Sequence, residues 1–90
     1  MDMNGEMVQT GISEEFRHIV LQSVMRGERN YSVLHGYLLE FKGKGMNQQE
    51  MYDDLEELRK HIQTEEQEDL FLDLMDFVVG FCNPKWKIFH

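Results

Sequence analysis

Apolar residues recur at intervals of three and four along most of the chain, which is the period of a helix with one buried face. The first such stripe contains Phe16, Ile19 and Val20, and Gly27 follows it as a natural helix stop. Ser13 precedes the stripe and is a good N-cap residue, since its hydroxyl can accept from a free backbone N–H. We therefore expect a first helix that begins at Ser13.

A second stripe is shorter and contains a glycine. Its four members have the spacing i, i+3, i+4 and i+7, namely Leu34, Tyr37, Leu38 and Phe41. Asn30 or Ser32 is a suitable cap at its start, and the glycine-containing segment 43–45 interrupts the pattern at its end. Gly36 inside the stripe costs about 1 kcal/mol relative to Ala. The pattern predicts a second helix between these signals.

The third stripe has the clearest start. Asn47 and Glu50 have the spacing of a capping box, in which each side chain binds the other's backbone N–H. The apolar residues then form a narrow seam of Met51, Leu55, Leu58 and Ile62. Tyr52 lies at the flank of this seam, and the other positions are polar. We expect an amphipathic third helix.

The fourth stripe is much wider. Thr64 and Gln67 give a second capping box, and Asn83-Pro84 ends the pattern. Apolar side chains cover an arc of roughly 220° on a helical projection, which is typical of a helix contacted on several sides. The plainly polar stripe on this helix consists of Asp69, Asp73 and Asp76.

The two ends of the chain are less regular. Residues 1–11 lack a sustained period and the features of a signal peptide, so we predict a mobile arm. The tail, residues 85–90, alternates lysines with Trp86 and Ile88, and its interpretation stays open between a brief strand, a lid on the core and a docking segment. The predicted fold is all-α: one domain over residues 1–90, a compact four-helix bundle with an N-terminal arm and a short aromatic tail.

Negative charge is concentrated in one part of the chain. The net charge is −8, yet residues 50–76 alone contain eleven acidic and two basic residues. The remaining residues are nearly balanced. Because a short link at 63–64 favours an antiparallel pair of helices, this excess belongs to one helical hairpin. A nucleic-acid partner is not expected, since phosphate-backbone binding requires clustered Lys and Arg.

The simplest interpretation of such a surface is a solvated face that raises solubility. However, acids here mostly lie near other acids, and a cationic partner would relieve that repulsion. We therefore predict a binding surface for a basic protein, with Tyr52 as its aromatic anchor. The candidate residues are Tyr52, Asp53, Glu56, Glu57, Asp69, Asp73 and Asp76.

Signals of catalysis and metal binding are weak. Glu15 and His18 have the spacing used by di-iron bundles, but the chain has no second copy of that motif. Cys82 is the single cysteine and is adjacent to apolar Phe81, so a buried, inert thiol is expected. We expect no enzymatic activity, no cofactor, no metal and no membrane partner, and the unpaired cysteine favours a cytoplasmic location.

In size, acidity and helical pattern the chain resembles the bacterial nuclease-toxin immunity proteins. The resemblance implies an inhibitor that neutralises a basic toxin. A different class of function stays open, because the wide apolar arc of the fourth helix is also typical of a subunit interface. The alternative is a homodimeric structural or regulatory module, with Phe71, Met75 and Val79 in contact with a second copy.

Overall fold

A computed structural model describes the backbone of residues 3–90 and the side chains of residues 11–90. This part of the chain contains four α-helices: α1 (Met3–Met25), α2 (Tyr31–Gly43), α3 (Gln48–Arg59) and α4 (Glu65–Val79). A single 3₁₀ turn, Pro84–Trp86, follows α4. No strand occurs among the described residues, which confirms the all-helical prediction for them.

The first helix begins ten residues earlier than predicted. It starts at Met3 and passes through most of the segment for which we predicted a mobile arm; residues 1–2 lie outside the described part of the chain. Ser13 is not a cap. Its hydroxyl instead donates to the Asp54 carboxylate on α3 at 2.5 Å, and the preceding Ile12 packs against the core.

The predicted caps of α2 and α3 are present. Asn30, rather than Ser32, caps α2, because its side chain accepts from the Ser32 backbone N–H at 2.8 Å. Both halves of the capping box at α3 are formed: the Glu50 N–H donates to Asn47 Oδ1 at 2.8 Å, and the Asn47 N–H donates to Glu50 Oε1 at 2.9 Å. The helix stops at Arg59, so Ile62 packs on the core from the following link.

The fourth helix is capped by Thr64, whose hydroxyl accepts from the Gln67 N–H at 3.2 Å. The predicted capping box is only half formed, because the Gln67 side chain does not accept from the Thr64 N–H. It ends at Val79, four residues before the predicted stop at Asn83. The reason is Gly80, which takes the left-handed conformation at φ 93° and turns the chain out of the helix. Phe81, predicted within the helix, therefore lies beyond its end.

The helices surround one core. α3 packs against α4 and α1, and α2 packs against α1 and α4. Fully buried side chains from all four helices meet there, together with Ile88 of the tail: Phe16, Val20, Val24, Leu34, Leu38, Phe41, Met51, Leu55, Phe71, Leu74, Val78 and Ile88.

The tail closes this core as a lid. The Ile88 N–H donates to the Phe77 carbonyl of α4 at 3.2 Å, and Lys42 Nζ of α2 donates to the Ile88 carbonyl at 2.8 Å. His35 Nε2 donates a hydrogen bond to the Trp86 carbonyl at 3.0 Å, and the Trp86 ring stacks on Phe77. Of the three interpretations left open for the tail, the described residues therefore form a lid.

Candidate functional site

The acidic hairpin consists of α3 and α4, and two hydrogen bonds define how these helices lie together. Gln48 Nε2, at the start of α3, donates to the Val78 carbonyl near the end of α4 at 2.8 Å. Arg59 Nη1, at the end of α3, donates to Glu68 Oε2 near the start of α4 at 2.9 Å. The helices are therefore antiparallel, as the short link indicated.

Arg59 connects the acids of the two helices. Besides Glu68, it binds Glu56 Oε2 through Nη2 at 2.8 Å. The hydrogen bond from Arg59 lowers the pKa of the Glu56 carboxyl, and the same pairing raises the pKa of the Arg59 guanidinium. Glu56 thus lies where α3 and α4 meet, and its charge is compensated by a neighbour on its own helix.

Tyr52 lies on the edge of α3 that faces α4. Gln48, Tyr52 and Arg59 share this edge, because residues separated by four and eleven positions lie on one side of a helix. The Tyr52 side chain is half-buried and packs against the core. Between the two cross-helix bonds, Tyr52 lies level with residues 74–75 of α4. It is therefore adjacent to the α4 surface, although part of its ring is already used in packing.

The other two candidates on α3 lie farther from α4. Asp53 is exposed and accepts from Gln49 Nε2 at 2.9 Å, one turn earlier on the same helix. Glu57 lines a groove between α1 and α3 together with Arg17 and His18. Its carboxylate lies 3.6 Å from Lys60 Nζ. The structure does not bring Glu57 together with the aspartates of α4.

The three candidate aspartates of α4 have different surroundings. Asp73 faces α2, where it accepts a hydrogen bond from the Tyr31 hydroxyl. This bond, followed by partial burial and the negative charges of Asp73 and Asp69, raises the pKa of Tyr31 to about 12. Among the side chains of residues 11–90, neither Asp69 nor Asp76 has a cationic partner within 4.0 Å.

Exposed apolar side chains lie beside the unpaired aspartates, and of these the sequence analysis singled out only Val79. Leu72 is 41% exposed and Val79 is 40% exposed, although both belong to the apolar arc of α4. Phe81, immediately after the helix, is 81% exposed. We call this set the α4 ridge: Asp69, Leu72, Asp76, Val79 and Phe81.

The surface suggested for a homodimer is mostly absent. Phe71 is fully buried and Met75 is 5% exposed, because the neighbouring helices cover that side of α4. Val79 alone of the three predicted contact residues is accessible. The wide apolar arc is therefore largely explained by packing within one chain.

Asp54 is a further residue that the sequence analysis did not single out. It is 9% exposed, and burial raises the pKa of its carboxyl, while the hydrogen bond from Ser13 and the charge of Arg17 act in the opposite direction. Its position beside Leu55, between Met51 and Leu58, was the signal that it lies close to the buried seam.

The remaining candidate groups are dispersed. Glu15 lies 3.7 Å from Lys44 Nζ, and His18 is exposed in the groove between α1 and α3. No group of three metal-ligating side chains occurs within the part of the chain that the structure describes.

Cys82 is half-buried rather than fully buried, at the edge of the core. Arg29 pairs with Glu66 of α4 at 3.0 Å, so one of the hairpin acids is neutralised from outside the hairpin.

Comparison with family models, with curated proteins and with solved structures finds no match for this chain. None of the helices described in residues 3–90 combines the length and the apolarity that crossing a lipid bilayer requires.

Proposed function

We propose that this chain is a binding protein that recognises a basic protein partner and neutralises it, in the manner of an immunity protein against a nuclease toxin. In this proposal the helices form a compact four-helix bundle that presents the outer side of α3 and α4. The observation that carries the proposal is the pair of unpaired aspartates, Asp69 and Asp76, on the segment that contains eleven of the seventeen acidic residues.

Electrostatics gives such a surface two uses. Complementary charge steers a basic partner and raises association rates up to about 10⁸–10⁹ M⁻¹s⁻¹ at low salt. In this proposal the acidic surface also occupies a basic cleft of the partner that would otherwise bind nucleic-acid phosphates, and a nuclease is inhibited in this way. Asp69, Asp73 and Asp76 repel one another in the free chain, and cations from a partner remove that cost.

The contribution of each candidate differs. Asp69 and Asp76 offer uncompensated charge, whereas Glu56 already binds Arg59 and Asp73 already accepts from Tyr31. Tyr52 supplies the accessible part of an aromatic ring at the edge of α3, adjacent to this charge. Asp53 and Glu57 act through long-range attraction rather than through direct contact at the ridge.

A homodimer is less well supported than a basic partner. Two of the three residues proposed for the dimer contact are in the core. A symmetric contact through the exposed part of α4 would also bring Asp69 and Asp76 of one copy towards those of the other. Like charges in that arrangement oppose association.

The proposal is tested by capturing the partner from the cells in which the chain is made. Tagged chain is cross-linked, purified and analysed by mass spectrometry, in the original form and as the Asp69→Asn/Asp76→Asn variant. The matched control is Glu14→Gln/Glu40→Gln, which removes the same charge from exposed acids of α1 and α2.

We expect the original chain and the control to capture a protein rich in Lys and Arg. Capture by the Asp69→Asn/Asp76→Asn variant should fall sharply. High salt should weaken the same complex, because it screens exposed charge. The purified partner should lose its own activity when one equivalent of chain is added. Equal capture by the two variants, or a partner without a basic surface, would contradict the proposal.

A further inference from the structure

The α4 ridge is a continuous stripe. Asp69, Leu72, Asp76 and Val79 have the spacing i, i+3, i+7 and i+10, which places them within about 80° of one another around a helix. Leu72 and Val79 are two turns apart, or about 10 Å along the axis. Apolar and acidic side chains therefore alternate along the outer side of α4.

Phe81 extends this stripe past the end of the helix. Its N–H donates to the Asp76 carbonyl at 3.0 Å, so the chain turns back against the last turn of α4 after Gly80. In helix endings of this type an apolar residue after the glycine often packs on the residue whose carbonyl accepts its N–H. That residue is Asp76, so this contact is lacking and the ring is 81% exposed.

Charge and spacing define what fits the ridge. A partner surface must supply apolar side chains for Leu72, Val79 and Phe81 and cations for the aspartates beside them. An amphipathic helix presents apolar residues at i, i+3, i+4 and i+7, and its repeat of two turns equals the separation of Leu72 and Val79. A strand has no edge to join, because the backbone groups within α4 are bonded inside the helix.

We propose that the α4 ridge docks a basic amphipathic helix of the partner protein, an inference that rests on the proposed function. The apolar stripe of that helix lies over Leu72, Val79 and Phe81, and its flanking Lys or Arg residues bind Asp69 and Asp76. A second copy of this chain and an anionic lipid surface fit less well, since both would place negative charge against the same aspartates.

The test uses synthetic peptides as probes. The first is a helical peptide of about 18 residues with a leucine stripe flanked by lysines, and the second has the same composition with leucines and lysines scrambled around the helix. A lysine homopolymer of equal length measures charge attraction alone. Affinity is measured by fluorescence anisotropy, and the contact is located from amide chemical-shift changes.

The decisive variant is Leu72→Ser/Phe81→Ser, and its matched control is Val33→Ser/Leu39→Ser, which changes two exposed apolar residues on α2. Phe81→Ser alone, which lies outside any helix, serves if the double variant loses helical circular dichroism. We expect the striped peptide to bind at least about tenfold more tightly than the scrambled one. The Leu72→Ser/Phe81→Ser variant should bind the striped peptide about tenfold more weakly, and the affinity of the control should be unchanged. The amide chemical-shift changes should be confined to residues 69–81.

Two results separate this inference from the proposed function. If Asp69→Asn/Asp76→Asn weakens the binding of both the striped peptide and the lysine homopolymer while Leu72→Ser/Phe81→Ser weakens neither, the helix-docking inference is wrong and the acidic surface remains. If the aspartate variant weakens neither, the acidic surface itself is wrong. A wild-type dimer in sedimentation that Phe81→Ser dissociates would make a second copy the occupant and overturn the inference.

Discussion

Ser13 of α1 donates a hydrogen bond to the carboxylate of Asp54 on α3 across 2.5 Å. This contact joins two helices whose residues are 41 positions apart, and it lies beside the core, where Asp54 is 9% exposed. Burial is the largest influence on Asp54 and raises the pKa of its carboxyl. The fold therefore favours the protonated form of Asp54 more than the unfolded chain does.

The stability of the protein should depend on pH through Asp54. Because the folded pKa lies above the unfolded value, the contribution of Asp54 is fully present below its usual pKa and is lost as pH rises through the raised value. In Asp54→Asn this position does not titrate. We therefore expect the free energy of unfolding of the variant, relative to the original, to increase between about pH 3 and pH 7 in urea titrations.

A suitable comparison is Asp53→Asn, which changes the exposed neighbour. An equal rise in that variant, or a difference for Asp54→Asn that does not depend on pH, would show that burial of Asp54 is not the cause. Ser13→Ala should lower the free energy of unfolding by about 1–3 kcal/mol, since it leaves the buried carboxyl without its donor.

Tyr31 should ionise unusually late. Its hydroxyl donates to Asp73, and this bond raises the pKa of Tyr31 to about 12. Absorbance at the phenolate band should show a transition near that pH that Tyr31→Phe removes and that Asp73→Ala moves towards the ordinary value. The raised pKa stabilises the fold below about pH 10, and the contribution is lost as pH rises through the folded value. An unchanged transition in both variants would show that the bond is not formed in solution.

The pKa of Glu56 should depend on Arg59. The hydrogen bond from Arg59 lowers the pKa of this carboxyl, so Arg59→Gln should raise it towards the ordinary value. Carboxyl carbon resonances followed during an acid titration measure the change directly. Lys60→Gln removes the same charge from the next residue and should have a much smaller effect; equal shifts in the two variants would exclude a specific pairing.

The C-terminal lid should contribute strongly to stability. Ile88 is fully buried, so Ile88→Ala should lower the free energy of unfolding by about 2–5 kcal/mol. Leu39→Ala truncates an exposed side chain on α2 and should stay within about 0.5 kcal/mol of the original. A small effect at Ile88 would mean that the tail is not closed over the core in solution.

Local signals predicted most of the helical framework. The capping box at Asn47 and the caps at Asn30 and Thr64 depend on residues a few positions apart, and the apolar seams report burial directly. The predicted end of α4 was wrong because Phe81 continues the apolar pattern past Gly80. Spacing alone does not show that the glycine takes a left-handed conformation.

Features that depend on distant residues were harder to predict. Ser13 resembles a cap in isolation, and its bond to Asp54 exists only when α1 and α3 pack together. The acidic hairpin was visible as composition, but which carboxylates are compensated depends on Arg59, Arg29 and Tyr31. Exposure of Phe81 likewise follows from the fold rather than from its hydrophobicity.

The most direct measurement of the central claim is amide hydrogen exchange of this chain, free and bound to the basic protein captured with it. Binding through the outer side of α3 and α4 predicts slower exchange in residues 69–81 and around Tyr52, and little change in α1 and α2. Protection confined to α1 and α2, with α4 unaffected, would contradict the account.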